Sequence, residues 1–318
     1  MNRPRTRVTT ALLQSRARAL KRDLLSAVDG DDDGVQQARV ASRRLREVVP
    51  VLATGLKSGK ADKAGRKIRR LTRALGKVRE LDVTMHLLDG LARSEDVPRV
   101  AVEEVRAHVI AERDRRREVM LRRLERVNAN KLDRRLTSVA DALQESDDER
   151  WRHALGVRLV KRAKRLLAAI DDAGQVYAAE GLHQVRISGK KLRYVLEIAA
   201  DSGLKSAEAP LRTIKSAQEL LGQIHDLQIL QSHVAAVQAR PSGRRILPAG
   251  LEAISRHIED QCRHLHGRYV AASPALRDVC ADVVKSVAPQ LERAGRRPAL
   301  KMGLARAPQR RAASRGHR

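Results

Sequence analysis

The chain has 318 residues, and its 65 Lys and Arg against 38 Asp and Glu give a formal charge of +27, so its partners are expected to be anionic. Hydrophobic residues make up 42 % but aromatics only 1 %, with no Phe and a single Trp; Ala, Leu and Val must fill the interior, which favours packed helices and leaves too few rings for a base-stacking nucleic-acid platform. No apolar run reaches the ~18 residues of a membrane span, Arg interrupts the N-terminal segment and excludes a signal-peptide core, and Cys262 and Cys280 alone exclude a disulfide framework, which together point to the cytoplasm.

Apolar residues recur at three- and four-residue spacing almost throughout, and alternating β-branched runs are missing, so the fold class is all-α. In chain order the spacing predicts helices over Val8 to Val28, Val35 to Ala53, Asp62 to Leu88, Pro98 to Val127 and Lys131 to Leu143. Further helices are predicted over Arg152 to Ile170, Tyr177 to Ala200, Ser206 to Ala239 and Pro248 to Val270, with a less regular one over Ala275 to Glu292. Turn residues cluster at Gly30 to Gly34, Thr54 to Gly59, Asp171 to Gly174 and Pro241 to Gly243, and Pro50 is expected to kink or shorten the second helix. Asp29 to Gly34 has the acids and glycine that open a calcium loop, but Val40 stands where the bidentate Glu is needed, so these acids are read as favouring a helix N-terminus. From Arg296 to Arg318 the chain has eight Lys or Arg, no acid and two Pro, which predicts a disordered basic tail.

An internal repeat organises the rest. Val35 to Arg46 aligns with Leu182 to Arg193 at an offset of 147 residues, matching Gln36 with His183, Arg39 with Arg186, Arg43 with Lys190, Arg44 with Lys191 and Arg46 with Arg193. A second motif, Leu75-Gly76-Lys77-Val78-Arg79-Glu80-Leu81, aligns with Leu221-Gly222-Gln223-Ile224-His225-Asp226-Leu227 at an offset of 146. Two elements in one order at nearly constant spacing indicate a duplicated helical half, 1–150 and 151–295, closing on its copy about a pseudo-twofold axis; chance similarity of Arg-rich helices is the competing explanation.

At about 100° per residue, His183, Arg186, Lys190 and Arg193 fall within an arc of roughly 80°, and Gln36, Arg39, Arg43 and Arg46 form the equivalent stripe. Arg44 and Lys191 lie off these stripes, while Leu45, Val48, Val185, Leu192 and Val195 point to the other side. Successive cations are separated by about 5 Å along the axis, a spacing that suits a linear polyanion; a solvated charged face is the plainer reading of one stripe, but it gives no reason for charges to stay in register across a duplication. On the third helix Arg66, Arg70, Arg73 and Lys77 form another cationic row within about 80°, opposite Ile68, Leu71, Leu75 and Val78. Its copy keeps Arg212 and Lys215 but sets Ser216, Glu219 and Gln223 opposite Arg70, Arg73 and Lys77, so the halves are expected to contribute unequally.

These two motifs, His-x-x-Arg-hydrophobic-x-x-Arg/Lys-Arg/Lys-Leu-Arg and Leu-Gly-x-hydrophobic-Arg/His-Asp/Glu-Leu, closely resemble those of the CHAD family, the conserved histidine α-helical domains, over about residues 8 to 270. The resemblance implies two four-helix bundles related by pseudo-twofold symmetry around a basic channel that binds inorganic polyphosphate. By position it implies that His183, Arg186, Lys190, Lys191 and Arg193 bind in the second half and Arg39, Arg43, Arg44 and Arg46 in the first, where Gln36 replaces the family's first histidine.

Single residues admit more than one reading. His183 can donate to phosphate, make a structural hydrogen bond or, with Glu180, offer two ligands of an incomplete metal site. Glu80 and Asp226, at matched positions, are either catalytic carboxylates or ion-pair partners that orient an Arg. Cys262 and His266 share a helix face, but His264 points away and completes no metal site. No phosphate-binding loop, nucleophile elbow or His-Glu-x-x-His is present, and the Glu-x-Glu-x-Lys signature of the triphosphate tunnel domain, often fused to this family, is absent too. The sequence therefore predicts a non-enzymatic, cofactor-free and metal-free binder of polyphosphate in the cytoplasm, with granules as a candidate location. Arg39, Arg43, Arg44, Arg46, Arg66, Arg70, Arg73, Lys77, His183, Arg186, Lys190, Lys191, Arg193, Arg212 and Lys215 are its candidate contacts. The alternatives are a non-sequence-specific nucleic-acid binder, since counterion release acts on any polyanion, and a regulator or scaffold whose basic channel is incidental.

Overall fold

The computed structural model describes residues 8–295 except 30, 57–58, 145–147, 205–206 and 241–246, so the expected basic tail lies outside the described residues. Among the described residues the regular elements are all helices: α1 (Val8–Val28), α2 (Asp32–Leu52), α3 (Lys60–Leu91), α4 (Arg99–Glu125), α5 (Ala129–Gln144), α6 (Asp148–Ala173), α7 (Ala179–Asp201), α8 (Glu208–Gln238) and α9 (Leu247–Gly295). The all-α fold class is thus the observed one.

Apolar stripes decide the packing. α1 lies on α2, α2 on α3 and α3 on α4, with α5 closing on α1 and α3; α6 lies on α7 and α9, α7 on α8 and α8 on α9. The groups meet where α2 touches α6 and α7, where α3 and α4 touch α8, and where α4 touches α9. Leu13, Leu45, Leu71, Leu75, Leu88 and Leu166 belong to one continuous apolar core built almost entirely from aliphatic side chains, as the shortage of rings requires.

The Asp29 to Gly34 acids do mark a helix start. Asp31 caps α2, its carboxylate accepting from the Gly34 amide at 2.9 Å and the Asp33 amide at 3.2 Å, and hydrogen bonds from Ser26 and Gly34 hold its pKa below the ordinary value. Gly34 is needed for the close approach of α1 and α2, because a Cβ there would lie 2.5 Å from Ser26 Oγ and 2.7 Å from the Ala27 nitrogen. α2 ends at Leu52, two residues past Pro50.

The predicted break between Val270 and Ala275 does not occur. α9 runs unbroken for 49 residues through Pro274, and Ser273 Oγ donates to the Val270 carbonyl at 2.9 Å, the acceptor left free by a residue without an N–H. Leu265, Tyr269, Leu276, Cys280 and Val283 are buried on both sides of the proline. Burying several such side chains at about 1.5–3 kcal/mol each outweighs the ~3 kcal/mol of an interior proline. In the first half the corresponding stretch does break, and Asn128 Oδ1 caps α5 by accepting from the Lys131 amide at 2.7 Å.

Candidate anion-binding cavity

Between α2, α3, α7 and α8 lies a cavity of about 330 Å³. α2 contributes Gln36 and Arg39, α3 contributes Arg79, Glu80 and Val83, and α7 contributes Arg186, Lys190 and Arg193; α8 closes it with Lys215, Gln218, Glu219, Gly222 and Asp226. Leu45, Val185, Leu192, Val195 and Ile224 are buried on the core sides of these helices, which fixes their rotation and turns the α2 and α7 stripes toward one another.

The cations there are crowded and poorly compensated. Burial, then the charge of Arg43, lowers the Arg39 pKa to about 10. Lys190 falls to about 7 through burial and then the charges of Arg186, Arg43, Arg39 and Arg193, and Arg186 is lowered by burial against the pull of Asp226. Burial pushes Asp226 up despite Arg186 and Lys190. The Nε atoms of Arg39, Arg186 and Arg193 are buried with no hydrogen-bond acceptor in the protein, and Gln36 Oε1 is buried with no donor. Buried donors are normally paired, and leaving one open costs about 1–3 kcal/mol, more when it is charged.

Of the candidates from the sequence, the cavity gathers Arg39, Arg186, Lys190, Arg193 and Lys215. Arg43 is not among the lining residues but acts through its charge on Arg39, Arg186 and Lys190. His183 sits to one side with its ring 5.1 Å from that of His225, and His225 is depressed to about 4 by burial and then by Arg186, His183, Lys190 and Arg39. Arg44 pairs with Glu197 at 3.1 Å and Arg46 with Glu47 at 3.6 Å. Lys191 lies near Arg162 and Glu47. Arg66, Arg70, Arg73 and Arg212 are exposed, and the side chain of Lys77 lies outside the described residues.

The sequence reading passed over Arg79 and Gln218. Arg79 belongs to the repeated second motif at the position matched by His225, but it points roughly 140° from the middle of the third-helix row. Gln218 carries no charge and left no signal in a search for cations.

Among the described residues, helices alone, in two groups that meet at a cationic cavity open to solvent, define the structural class. A sequence profile described as the CHAD domain matches residues 10–235, and the chain belongs to the CHAD family. The structure is similar to that of PptA from Streptomyces chartreusis, with a TM-score of 0.62 and 14 % identity over 86 % of this chain and 100 % of that one. It is also similar to the CHAD domain from the plant Ricinus communis, with a TM-score of 0.56 and 21 % identity over 88 % of this chain and 89 % of the other. At these identities the likeness is one of fold. No curated protein sequence matches the chain. Among the described residues no helix is long and apolar enough to cross a membrane.

Proposed function

We propose that this chain binds inorganic polyphosphate, without catalysing its turnover, in the cavity between α2, α3, α7 and α8. The observation that carries the reading is the state of Arg39 and Arg186. Both are cations whose Nε donors lack an acceptor, and both stand beside Lys190, which their charges help to hold near neutrality. A chain of phosphates supplies the missing acceptors and the missing negative charge together, with Arg making bidentate contacts and Lys a point charge. The repeat gives the cavity its two sides. α2 meets α7 and α3 meets α8, pairing the helices that the sequence offsets match and supporting a duplication about a pseudo-twofold axis. The cytoplasm, including polyphosphate granules, is the proposed setting.

The test is competition. Long-chain polyphosphate should displace duplex DNA at equal phosphate concentration, DNA should fail to displace polyphosphate, and Arg39→Ala combined with Arg186→Ala should abolish the preference. Mutual displacement that is unchanged in this double variant favours the non-specific nucleic-acid reading.

A further inference from the structure

Gln218 lies along the α8 wall of the cavity, 7 % exposed, and neither its Oε1 nor its Nε2 has a hydrogen-bond partner. The amide as placed leaves one buried donor and one buried acceptor open. The repeat shows that this deficit is particular to the second half. Gln218 matches Thr72 at the offset of 146, and Gly189 matches Ser42 at the offset of 147. In the first half Thr72 Oγ1 donates to Ser42 Oγ at 3.0 Å, and Ser42 Oγ donates to the Arg39 carbonyl at 2.9 Å, so the buried hydroxyls satisfy one another. In the second half Gln218 lies over Gly189, where a Cβ would come within 3.4 Å of Nε2. A closed hydroxyl pair is thus replaced by an open amide at the cavity wall.

Glu219 and Asp226 on α8 and Glu80 on α3 line the same cavity and add carboxylate acceptors to the open oxygens of Gln218 and Gln36. A fully ionised phosphate chain brings acceptors only. It suits Arg39, Arg186 and Lys190, and it meets nothing but like charge and lone pairs on the α8 acids. Magnesium resolves the mismatch, because it keeps several waters when bound and is commonly held by phosphates plus one or two carboxylates. Among the described residues no three His, Cys, Asp or Glu side chains gather to hold a metal, so the ion has to arrive with the phosphate.

We propose that the cavity takes polyphosphate as its hydrated magnesium complex, with metal-bound water donating to Gln218 Oε1, Glu219 and Asp226 while phosphate oxygens face Arg39, Arg186 and Lys190. This inference rests on the polyphosphate reading above. It is tested by titrating polyphosphate of defined length in EDTA and in magnesium at matched ionic strength. The chains compared are the wild type, Glu219→Gln, and a Gly189→Ser/Gln218→Thr double variant that installs the first half's own satisfied pair. Magnesium neutralises part of the polyanion and by itself weakens Coulombic binding. Through the added hydrogen bonds to charged groups it should instead tighten wild-type binding by about tenfold. That ratio should shrink in the double variant, which keeps Glu219 and Asp226, and shrink likewise in Glu219→Gln, which provides the reading if the double variant loses helicity. Wild-type binding that is unchanged or weaker in magnesium overturns the metal complex and leaves polyphosphate binding standing. A tenfold gain that survives in both variants overturns the assignment to the α8 wall. No binding in either buffer overturns the polyphosphate reading itself.

Discussion

Arg44 on α2 donates to Glu197 on α7 across the boundary between the two helix groups, Nε to Oε2 at 3.1 Å, and the same carboxylate lies 3.5 Å from Arg193 Nε. Glu197 therefore takes an arginine from each half, and Arg44 is held away from the cavity. Arg44→Ala is expected to lower stability by about 1 kcal/mol, a figure kept small because the Arg44 side chain is 39 % exposed. Glu197→Ala should cost about 2–3 kcal/mol, since it strands two cations at once. Urea unfolding followed by circular dichroism reads both, and polyphosphate affinity should hardly change in Arg44→Ala.

The cavity cations should behave in the opposite way. Lys190 is pushed down by burial and by four arginines, so Lys190→Met, which keeps the volume and removes the charge, is expected to stabilise the ligand-free chain by about 1–2 kcal/mol. The same substitution should weaken polyphosphate binding. A variant that is less stable and binds as tightly as the wild type would show that the cluster is not self-repelling.

Lys190 also sets a pH dependence. Its pKa is about 7 in the native chain against an ordinary value of 10.5, so between these pH values the unfolded chain carries the extra proton. Ligand-free stability should therefore rise with pH across that window and be fully penalised below it, where both states are charged. A bound polyanion favours the charged amine, so binding at about pH 8 takes up a proton, and affinity falls as pH climbs from about 7 toward the bound value. Calorimetry in two buffers of different ionisation enthalpy should detect this uptake in the wild type and its loss in Lys190→Met.

Arg66 and Arg70 lie on the exposed face of α3. Reversing both to Glu should weaken polyphosphate binding by about threefold at low salt and have little effect at high salt, where exposed charges are screened. Arg39→Ala with Arg186→Ala should cost more than about tenfold under both conditions, because these donors are desolvated before the ligand arrives. Titrations of both double variants at two ionic strengths separate the cases, and equal losses would make diffuse charge the binding force.

Helical periodicity located the helices because a chain so poor in rings buries Leu, Val and Ala in regular stripes, and the two repeat offsets singled out the helices that wall the cavity. The α2 and α7 stripes supplied Arg39, Arg186, Lys190 and Arg193 because their apolar faces leave one direction for charge. Spacing does not say what stands opposite a cation. Arg46 passes the same helical test, yet it pairs with Glu47 beside it, and the off-stripe Lys191 meets that same acid only once helices pack. The α3 row does not reach the wall because α3 enters it with Arg79, Glu80 and Val83, past the row's last cation, and Arg79 and Val83 also point roughly 100° or more from the row's middle. Gln218 was invisible because its distinction is an unmet hydrogen bond, a property of its neighbours. The expected break at Pro274 was a local rule overridden by the buried stripe on both sides.

The unbroken α9 has a consequence for how the protein is made. Leu159 on α6 and Val283 in the second half of α9 line one apolar groove, so the helix that opens the second half, covered on one side by α7, finds the rest of its cover only when most of α9 has been synthesised. α1 is likewise closed by α5 at the other end of the first half, but that half is complete long before α9 is made. Domains generally fold as units during synthesis and non-local contacts form slowly. The first half is therefore positioned to fold while still tethered to the ribosome, and its completed surface is there to receive α7 and α8 as they emerge. Assembly of the cavity, which needs helices of both halves, waits until α7 and α8 have been made.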